Sequence, residues 1–418
     1  MLVGEIIKYY REKKGISQSN LGEGICGKAY ISRFESGKVT LSEEIIYKLA
    51  QKLEIDINKE IESFYLIEKH LNEWNQAIIM QRTPQIEGVK VVLDQNPFIL
   101  ASKHAANYLL LKGRYYLHKN MFTEAKNIID YVEKEFQTLS NYEKNVLLHI
   151  KGIYCISTFR TAHGEECQTA VNLLKQIKIA EYNNEEYYYH LAVAYHHAKA
   201  KVSAFTYAKK ALQFFNKTYN HVSAMNAQIL MLMQLDSERD IDFLVLVENY
   251  KDLIHNCVIL GAHESKINIL FNLGEEFYKR KEFDQAVSFF EEAFLLTDKS
   301  SIKYLRRLYH FTEACLDAKL LKKKNLLEKI ETGTKLAKKS CPIYFNLYKL
   351  LALKSKKNSS QYYQFLAEVV VPQLIDTNNT SFFEQYGKIL YNHYIEQKEY
   401  EKAIEVDKNF KLMHKALN

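Results

Sequence analysis

The chain is poor in the residues that make turns. Four prolines and 14 glycines are spread over 418 residues, too few for a sheet-rich fold that reverses its chain repeatedly through tight turns. Helices joined by short connections are the alternative that this composition permits. None of the six cysteines stands in a C-x-x-C pair and no secretory leader precedes them. Cys26, Cys155, Cys167, Cys257, Cys315 and Cys341 therefore read as reduced thiols of a cytoplasmic protein. No stretch reaches the ~18 apolar residues a membrane span requires, the densest, Ala224–Leu235, being too short. A bulk field of one sign is missing too. The net charge is +7, and within residues 1–60 acids and bases nearly cancel, so contact with a polyanion must come from individually placed side chains.

Signatures of catalysis are absent as well. There is no G-x-x-x-x-G-K-[ST] loop and no H-E-x-x-H helix. His196 and His197 are adjacent, and adjacent helical residues diverge by about 100°; His190 and His197 share a face but lack a third ligand. No metal, no cofactor and no enzymatic activity are expected. The lysine-rich stretches Lys319–Lys324 and Lys335–Lys339 read as solvated helix faces.

What the chain does have is enough apolar material, 47% of residues, to build real cores, and a highly informative first 60 residues. Ile6, Ile7 and Tyr10 recur at helical spacing, and Gly15 stops that helix. Ser17 caps a short second helix starting at Gln18. After the turn Gly24-Ile25-Cys26-Gly27, a third helix covers Lys28 to Glu35, and Ser42 caps a fourth over Glu43 to Leu53. This is the order of a helix-turn-helix domain. Projected on a helix, Ile31 and Phe34 face one side, while Ala29, Ser32 and Arg33 face the other, with Lys28 at the start and Tyr30 on the flank. A small residue permits close approach to a groove, and a guanidinium can pair bidentately with guanine. Gln18, at a helix start, is placed for a backbone phosphate. The candidate DNA-binding residues are Gln18, Lys28, Ala29, Tyr30, Ser32, Arg33 and Lys38.

The segment Ser17-Gln18-x-x-Leu21 … Ile31-Ser32-Arg33-Phe34-Glu35-Ser36-Gly37 resembles the Xre/Cro-like helix-turn-helix family. The compressed turn Glu23-Gly24-Ile25-Cys26 narrows the resemblance to the PlcR/NprR type of quorum-sensing regulator, which shares a family with the Rap phosphatases, PrgX and Rgg. Gly22 and the stretch Gly27-Lys28-Ala29-Tyr30 depart from the family pattern, so the operator sequence does not follow. The resemblance implies an all-α chain in which a short signalling peptide binds a helical repeat domain.

The remaining residues carry such repeats. Residues 58–82 read as a linker helix with the single tryptophan, Trp74, between a head at 1–57 and a repeat domain at 83–418. Pro84 and Pro97 punctuate short helices after it. Small and large residues alternate with tetratricopeptide (TPR) spacing in four places: Gly113, Tyr116 and Ala125; Leu191, Ala192, Tyr195, Ala204, Ala208 and Ala211; Leu273, Gly274, Phe277, Ala286, Phe290 and Ala293; and, partially, Leu390, Tyr394 and Ala403. Degenerate pairs, such as Glu143–Phe159 with Cys167–Ala180, fill the intervals. The expected architecture is a right-handed superhelical array of about eight or nine TPR-like hairpins whose first helices line a groove. An extended peptide there needs partners for its backbone, and asparagine offers a donor and an acceptor together. The family resemblance marks asparagines at such positions as peptide-binding. The candidates are Asn107, Asn145, Asn226, Asn268 and Asn272, with Arg114, His149, Tyr189 and Tyr278 nearby.

These readings converge on a transcription regulator that binds double-stranded operator DNA, as a homodimer because one recognition helix reads too little sequence, and is switched by a peptide. Two alternatives remain. One is a Rap-like regulator binding a response-regulator protein, for which Gln76, Gln81 and Gln85 are the glutamines near the linker. The other is a phage or mobile-element repressor that needs no peptide.

Overall fold

The computed structural model describes residues 2–96, 98–158, 165–235, 241–299, 302–356, 359–377 and 379–415; Pro97 and Phe159 lie outside the described residues. Among those residues all regular structure is helical. The head comprises α1 (Leu2–Lys13), α2 (Gln18–Gly22), α3 (Lys28–Glu35) and α4 (Glu43–Leu53). Then come α5 (Ile57–Ile79), α6 (Thr83–Asp94), a 3-10 turn at Ile99–Ala101, α7 (Ala105–His118), α8 (Phe122–Glu135), α9 (Asn141–Thr158), α10 (Glu165–Lys175) and α11 (Ile179–Tyr182). The rest of the chain forms α12 (Tyr187–His197), α13 (Lys201–Lys217), α14 (His221–Leu232), α15 (Phe243–Ile259), α16 (His263–Lys279), α17 (Phe283–Leu295), α18 (Ile302–Ala318), α19 (Lys323–Ser340), α20 (Pro342–Ser355), α21 (Ser359–Phe365), α22 (Val371–Asp376), α23 (Thr380–Glu396) and α24 (Tyr400–Lys415).

The chain divides into two compact units, residues 1–157 with 176–184, and residues 158–175 with 185–418. The first holds the head and the hairpins α5–α6 and α7–α8; the second holds α12–α13, α14–α15, α16–α17, α18–α19, α20–α22 and α23–α24. α9 and α10 fall in different units.

Within the first unit the head is fixed to the segment C-terminal to it. Tyr9 and Tyr10 on α1 set their rings edge-on against Phe98, at 4.6 and 5.2 Å between centroids. Inside the head, Lys14 Nζ donates to Glu54 Oε2 at 2.7 Å and ties the end of α1 to the end of α4. The linker helix runs over 57–79 rather than 58–82: Gln81 turns left-handed (φ 55°) and Pro84 opens the first turn of α6, where its missing N–H costs nothing.

The scarcity of glycine has a structural counterpart at the corners between paired helices. Asn120, Lys199, Lys281, Lys319 and Lys398 all take positive φ, between 57° and 63°. In each corner the next residue's N–H reaches back across the turn, as from Glu282 to Phe277 O at 3.0 Å and from Ala200 to Tyr195 O at 3.0 Å. This is the Schellman closure, made here with side-chain-bearing residues instead of glycine. Glycine is kept for close approach. A Cβ on Gly274 would lie 2.7 Å from the Phe290 ring, at the point where α16 meets α17. The small residues read as helix contacts, Ala125, Ala204, Ala208, Ala211, Ala286, Ala293 and Ala403, are all buried. Between α21 and α22 the helix widens into a π-helical turn at Leu366–Val370. Pro372 cannot donate to the carbonyl four residues back, and the wider turn ahead of it absorbs the lost bond.

Candidate nucleic-acid interface and ligand face

The head is built around one buried carboxylate. Glu35, at the end of α3, is 6% exposed and accepts from Arg11 Nε at 2.6 Å, Arg11 Nη2 at 2.9 Å and Gln18 Nε2 at 2.8 Å. Arg11 also donates to Ile16 O at 3.0 Å. The hydrogen bond from Arg11 to Glu35 raises the arginine pKa further above its ordinary value. This network ties α1, α2 and α3 together and decides which face of α3 turns inward. Ile31 and Phe34 pack beneath it, and Gly4 lets α1 approach so closely that a Cβ there would sit 2.1 Å from Phe34 O.

The opposite face of α3 is left open. Lys28, Ala29, Tyr30, Ser32 and Arg33 are all exposed, Tyr30 at 57%. Beyond the helix, Gly37 adopts φ 71° and Lys38 N donates to Arg33 O at 2.8 Å, which holds the exposed Lys38 against the end of α3. Gln18 has a partner inside the head. One hydrogen of its amide is spent on Glu35, in a partly buried bond, so it serves the head's interior as well as any phosphate. α2 itself is started by Ser17, whose hydroxyl accepts from Asn20 N at 3.1 Å.

The expected peptide contacts separate into two groups. In the first unit, Arg114, Asn145 and His149 are buried and engaged within the protein. Arg114 is buried beside Asn75. Asn145 donates to Asn141 O at 2.7 Å and accepts from Lys178 N at 2.8 Å. His149 is fully buried with Nδ1 2.7 Å from the Tyr182 hydroxyl. Asn107 is half-buried on α7, and its Oδ1 is buried without a hydrogen-bond partner, as is Trp74 Nε1.

In the second unit the asparagines line up differently. Asn226 Oδ1 on α14 accepts from Ser265 Oγ at 2.8 Å, and Asn268 Oδ1 on α16 accepts from Arg307 Nη2 at 2.8 Å. Each bond spans 39 positions and joins the first helix of one hairpin to that of the next. In both, the amide oxygen is engaged by the neighbouring repeat, and the Nδ2 group is a donor on the same side chain. Asn272, one turn further along α16, is half-buried. Tyr278 donates to Asp317 Oδ2 at 2.6 Å, and burial together with the nearby acids pushes its hydroxyl pKa up. Tyr189 is half-buried with its ring edge-on to Phe215, and burial raises its pKa to about 12.

The helix-turn-helix family HTH_3 matches residues 7–59. Across its length the chain is 20% identical, over 403 residues, to the transcriptional activator NprA of Geobacillus stearothermophilus, covering 92% of this chain and 96% of that one. Among solved structures, the apo form of the quorum sensor NprR from B. thuringiensis superposes with a TM-score of 0.66 at 19% identity, covering 87% of this chain and all of NprR. NprR in complex with its cognate peptide NprX gives the same TM-score and identity over 84% of this chain and 99% of that one. A Rap protein complexed with competence and sporulation factor gives 0.65 at 14% identity, over 84% and 99% of the two chains.

The chain has the NprR-type build: a helix-turn-helix head on a tetratricopeptide-like helical array. Within this NprR-type build, two features escaped the sequence reading. One is the Arg11–Glu35–Gln18 network, whose members stand up to 24 positions apart; the Glu35-Ser36-Gly37 signature was its visible end. The other is Arg307, which bonds Asn268 and Thr297 and whose repeat-to-repeat spacing was the available signal.

Proposed function

We propose that this chain is a transcription regulator that reads operator DNA with α3 and is switched by a short signalling peptide held on the first helices of its array. The observation that carries the reading is the two-sidedness of α3. Its inner face is locked by Glu35, Ile31 and Phe34, and its outer face presents Lys28, Tyr30, Ser32 and Arg33 to a groove. The likeness to NprA and to peptide-bound NprR supports the same reading for the array, as do the asparagine amides of α14 and α16. Two half-sites require two heads, so the working form is a homodimer. Among the described residues no helix is long and apolar enough to cross a membrane.

The head-proximal cleft favours a second role beside the first. Tyr65, Glu68, Asn72, Gln76, Arg82 and Gln85 line an open hollow of about 570 Å³ between α5 and α6. With the likeness to a Rap protein, this hollow supports docking of a response-regulator protein there. A peptide-free repressor is the reading least supported, given Asn226, Asn268 and Asn272 on α14 and α16.

Selection of duplexes from a random pool by the full chain tests the DNA reading. The wild type should enrich a two-fold symmetric sequence. Arg33→Ala with Lys28→Ala should enrich none while keeping the helical signal. Equal enrichment by both proteins would remove α3 from the interface.

A further inference from the structure

Four features of the molecule lie outside the DNA-reading face: the α5–α6 hollow, the exposed stripe Tyr400, Ile404 and Leu412 on α24, the buried Tyr309–Glu313–Tyr386 cluster, and the first-helix face of the second unit. In the last, a guanidinium is held in place on an aromatic ring beside side-chain amides whose oxygens are already bonded. The inference from it rests on the peptide reading above and specifies which part of the peptide is recognised.

Two consecutive arginines on α18 have opposite fates. Arg307 is buried and fully committed, with Nη1 to Thr297 Oγ1 at 2.6 Å and Nη2 to Asn268 Oδ1 at 2.8 Å. Arg306 is exposed. Its guanidinium lies over the Phe271 ring of α16, Cζ 4.7 Å from the centroid, and touches Glu275 Oε1 through a single 3.4 Å contact. A guanidinium laid on an aromatic face keeps its N–H edge free and oriented. An exposed, single-contact ion pair holds it weakly, so an incoming carboxylate able to take two parallel bonds can displace Glu275.

The neighbouring groups match that ligand. Asn226 and Asn268 direct their oxygens at Ser265 and Arg307, so their Nδ2 groups are the donors they can turn to a ligand. Asn272 stands beside Phe271 on the same helix. The other acids on this face are already paired or flanking: Glu264 with Lys303 at 3.0 Å, and Glu276 with Lys279. Past Arg306 the face of α18 is covered by α23. Tyr309 bonds Tyr386, His310 stacks on Phe382, and Glu313 accepts from Tyr386 at 2.7 Å and from Gln385 at 3.1 Å. A chain lying along the face from α14 towards α18 therefore runs into α23 just beyond Arg306.

We infer that Arg306, with the Asn268 and Asn272 amides, is a carboxylate-recognition subsite that receives the end of the bound peptide. A terminal carboxylate and an acidic side chain near the terminus share this chemistry.

Two pools of random short peptides, one with free C-terminal carboxylates and one amidated, are offered to the full chain and the retained species read by native mass spectrometry. The wild type should retain peptides from the free-acid pool. If it also retains amidated ones enriched in Asp or Glu near the end, a side chain is the source. Arg306→Gln should weaken retention by about 10- to 100-fold, as expected for loss of a charge-assisted pair, and Arg306→Lys should recover only part of it. Glu275→Gln, which removes the competing carboxylate and leaves the arginine, should tighten retention. Equal retention of neutral amidated and free-acid peptides by the wild type, or unchanged preference in Arg306→Gln together with no gain in Glu275→Gln, overturns the subsite. If the wild type retains nothing from either pool, the peptide reading itself falls with it.

Discussion

Glu35→Ala should unfold the head and leave the array standing. The carboxylate accepts three hydrogen bonds, two from Arg11 and one from Gln18, in a site where it is 6% exposed. Removing one member of a buried ion pair costs about 3–5 kcal/mol because the remaining charge loses its compensation. Here Arg11 keeps Ile16 O at 3.0 Å and Glu12 at 3.2 Å, which places the cost near the lower end, about 3 kcal/mol. A domain of the head's size is held by only about 3–9 kcal/mol in total, so the variant head is marginal. Hydrogen exchange read peptide by peptide is the assay. Amides of α1–α4 should lose protection by about a hundredfold, since each 1.4 kcal/mol is roughly a factor of ten, while those of α16–α18 stay unchanged. Arg33→Ala is the contrasting variant: DNA binding lost, exchange in α1–α4 as in the wild type. Unchanged protection of the head in Glu35→Ala would refute the idea that this network orients α3.

Three further outcomes rest on the same geometry. Gly4→Ala forces a Cβ to within 2.1 Å of Phe34 O, a backbone atom that cannot swing aside, and should abolish operator binding with loss of head protection; a wild-type exchange pattern would contradict the close α1–α3 approach. Gly274→Ala presses on the Phe290 ring at 2.7 Å and should lower the melting temperature of the second unit, by an amount set by about 1–3 kcal/mol of overpacking; no change would mean that α16 and α17 sit further apart. Burial beside Phe271, Phe290 and Phe382 drives the His310 imidazole from 6.5 down to about 3. The unfolded chain then binds the proton that the folded chain refuses. The stability is present above about pH 6.5 and is lost as pH falls from there towards 3, and His310→Phe should flatten that part of the melting curve against pH. An unaltered slope would show that His310 titrates freely.

Much of this was legible in the sequence for identifiable reasons. The head could be read because its signals are local. Ser17 caps, Gly37 terminates, and Ile31 with Phe34 set the inward side of α3, each a signal carried within a few residues. The hairpins could be read because alanine and glycine recur where helices touch. What escaped depends on pairs far apart in the chain. Nothing in the neighbourhood of Asn145 or His149 says that Lys178 and Tyr182 will come to meet them. The asparagines of α14 and α16 were found, but that a 39-residue step would bring Ser265 and Arg307 to their oxygens emerged only from the packing of successive hairpins. The corners carry no glycine to mark them: Asn120, Lys199, Lys281, Lys319 and Lys398 supply the left-handed residues there.

One chain is held to join a DNA-reading head to a peptide-holding array, with the two coupled. The most direct test is operator affinity of the full-length protein at fixed salt, measured with and without the short-peptide fraction of spent medium from its own host. The account predicts a shift in affinity with that fraction that disappears when the fraction is digested with protease. The same affinity under all three conditions would contradict it.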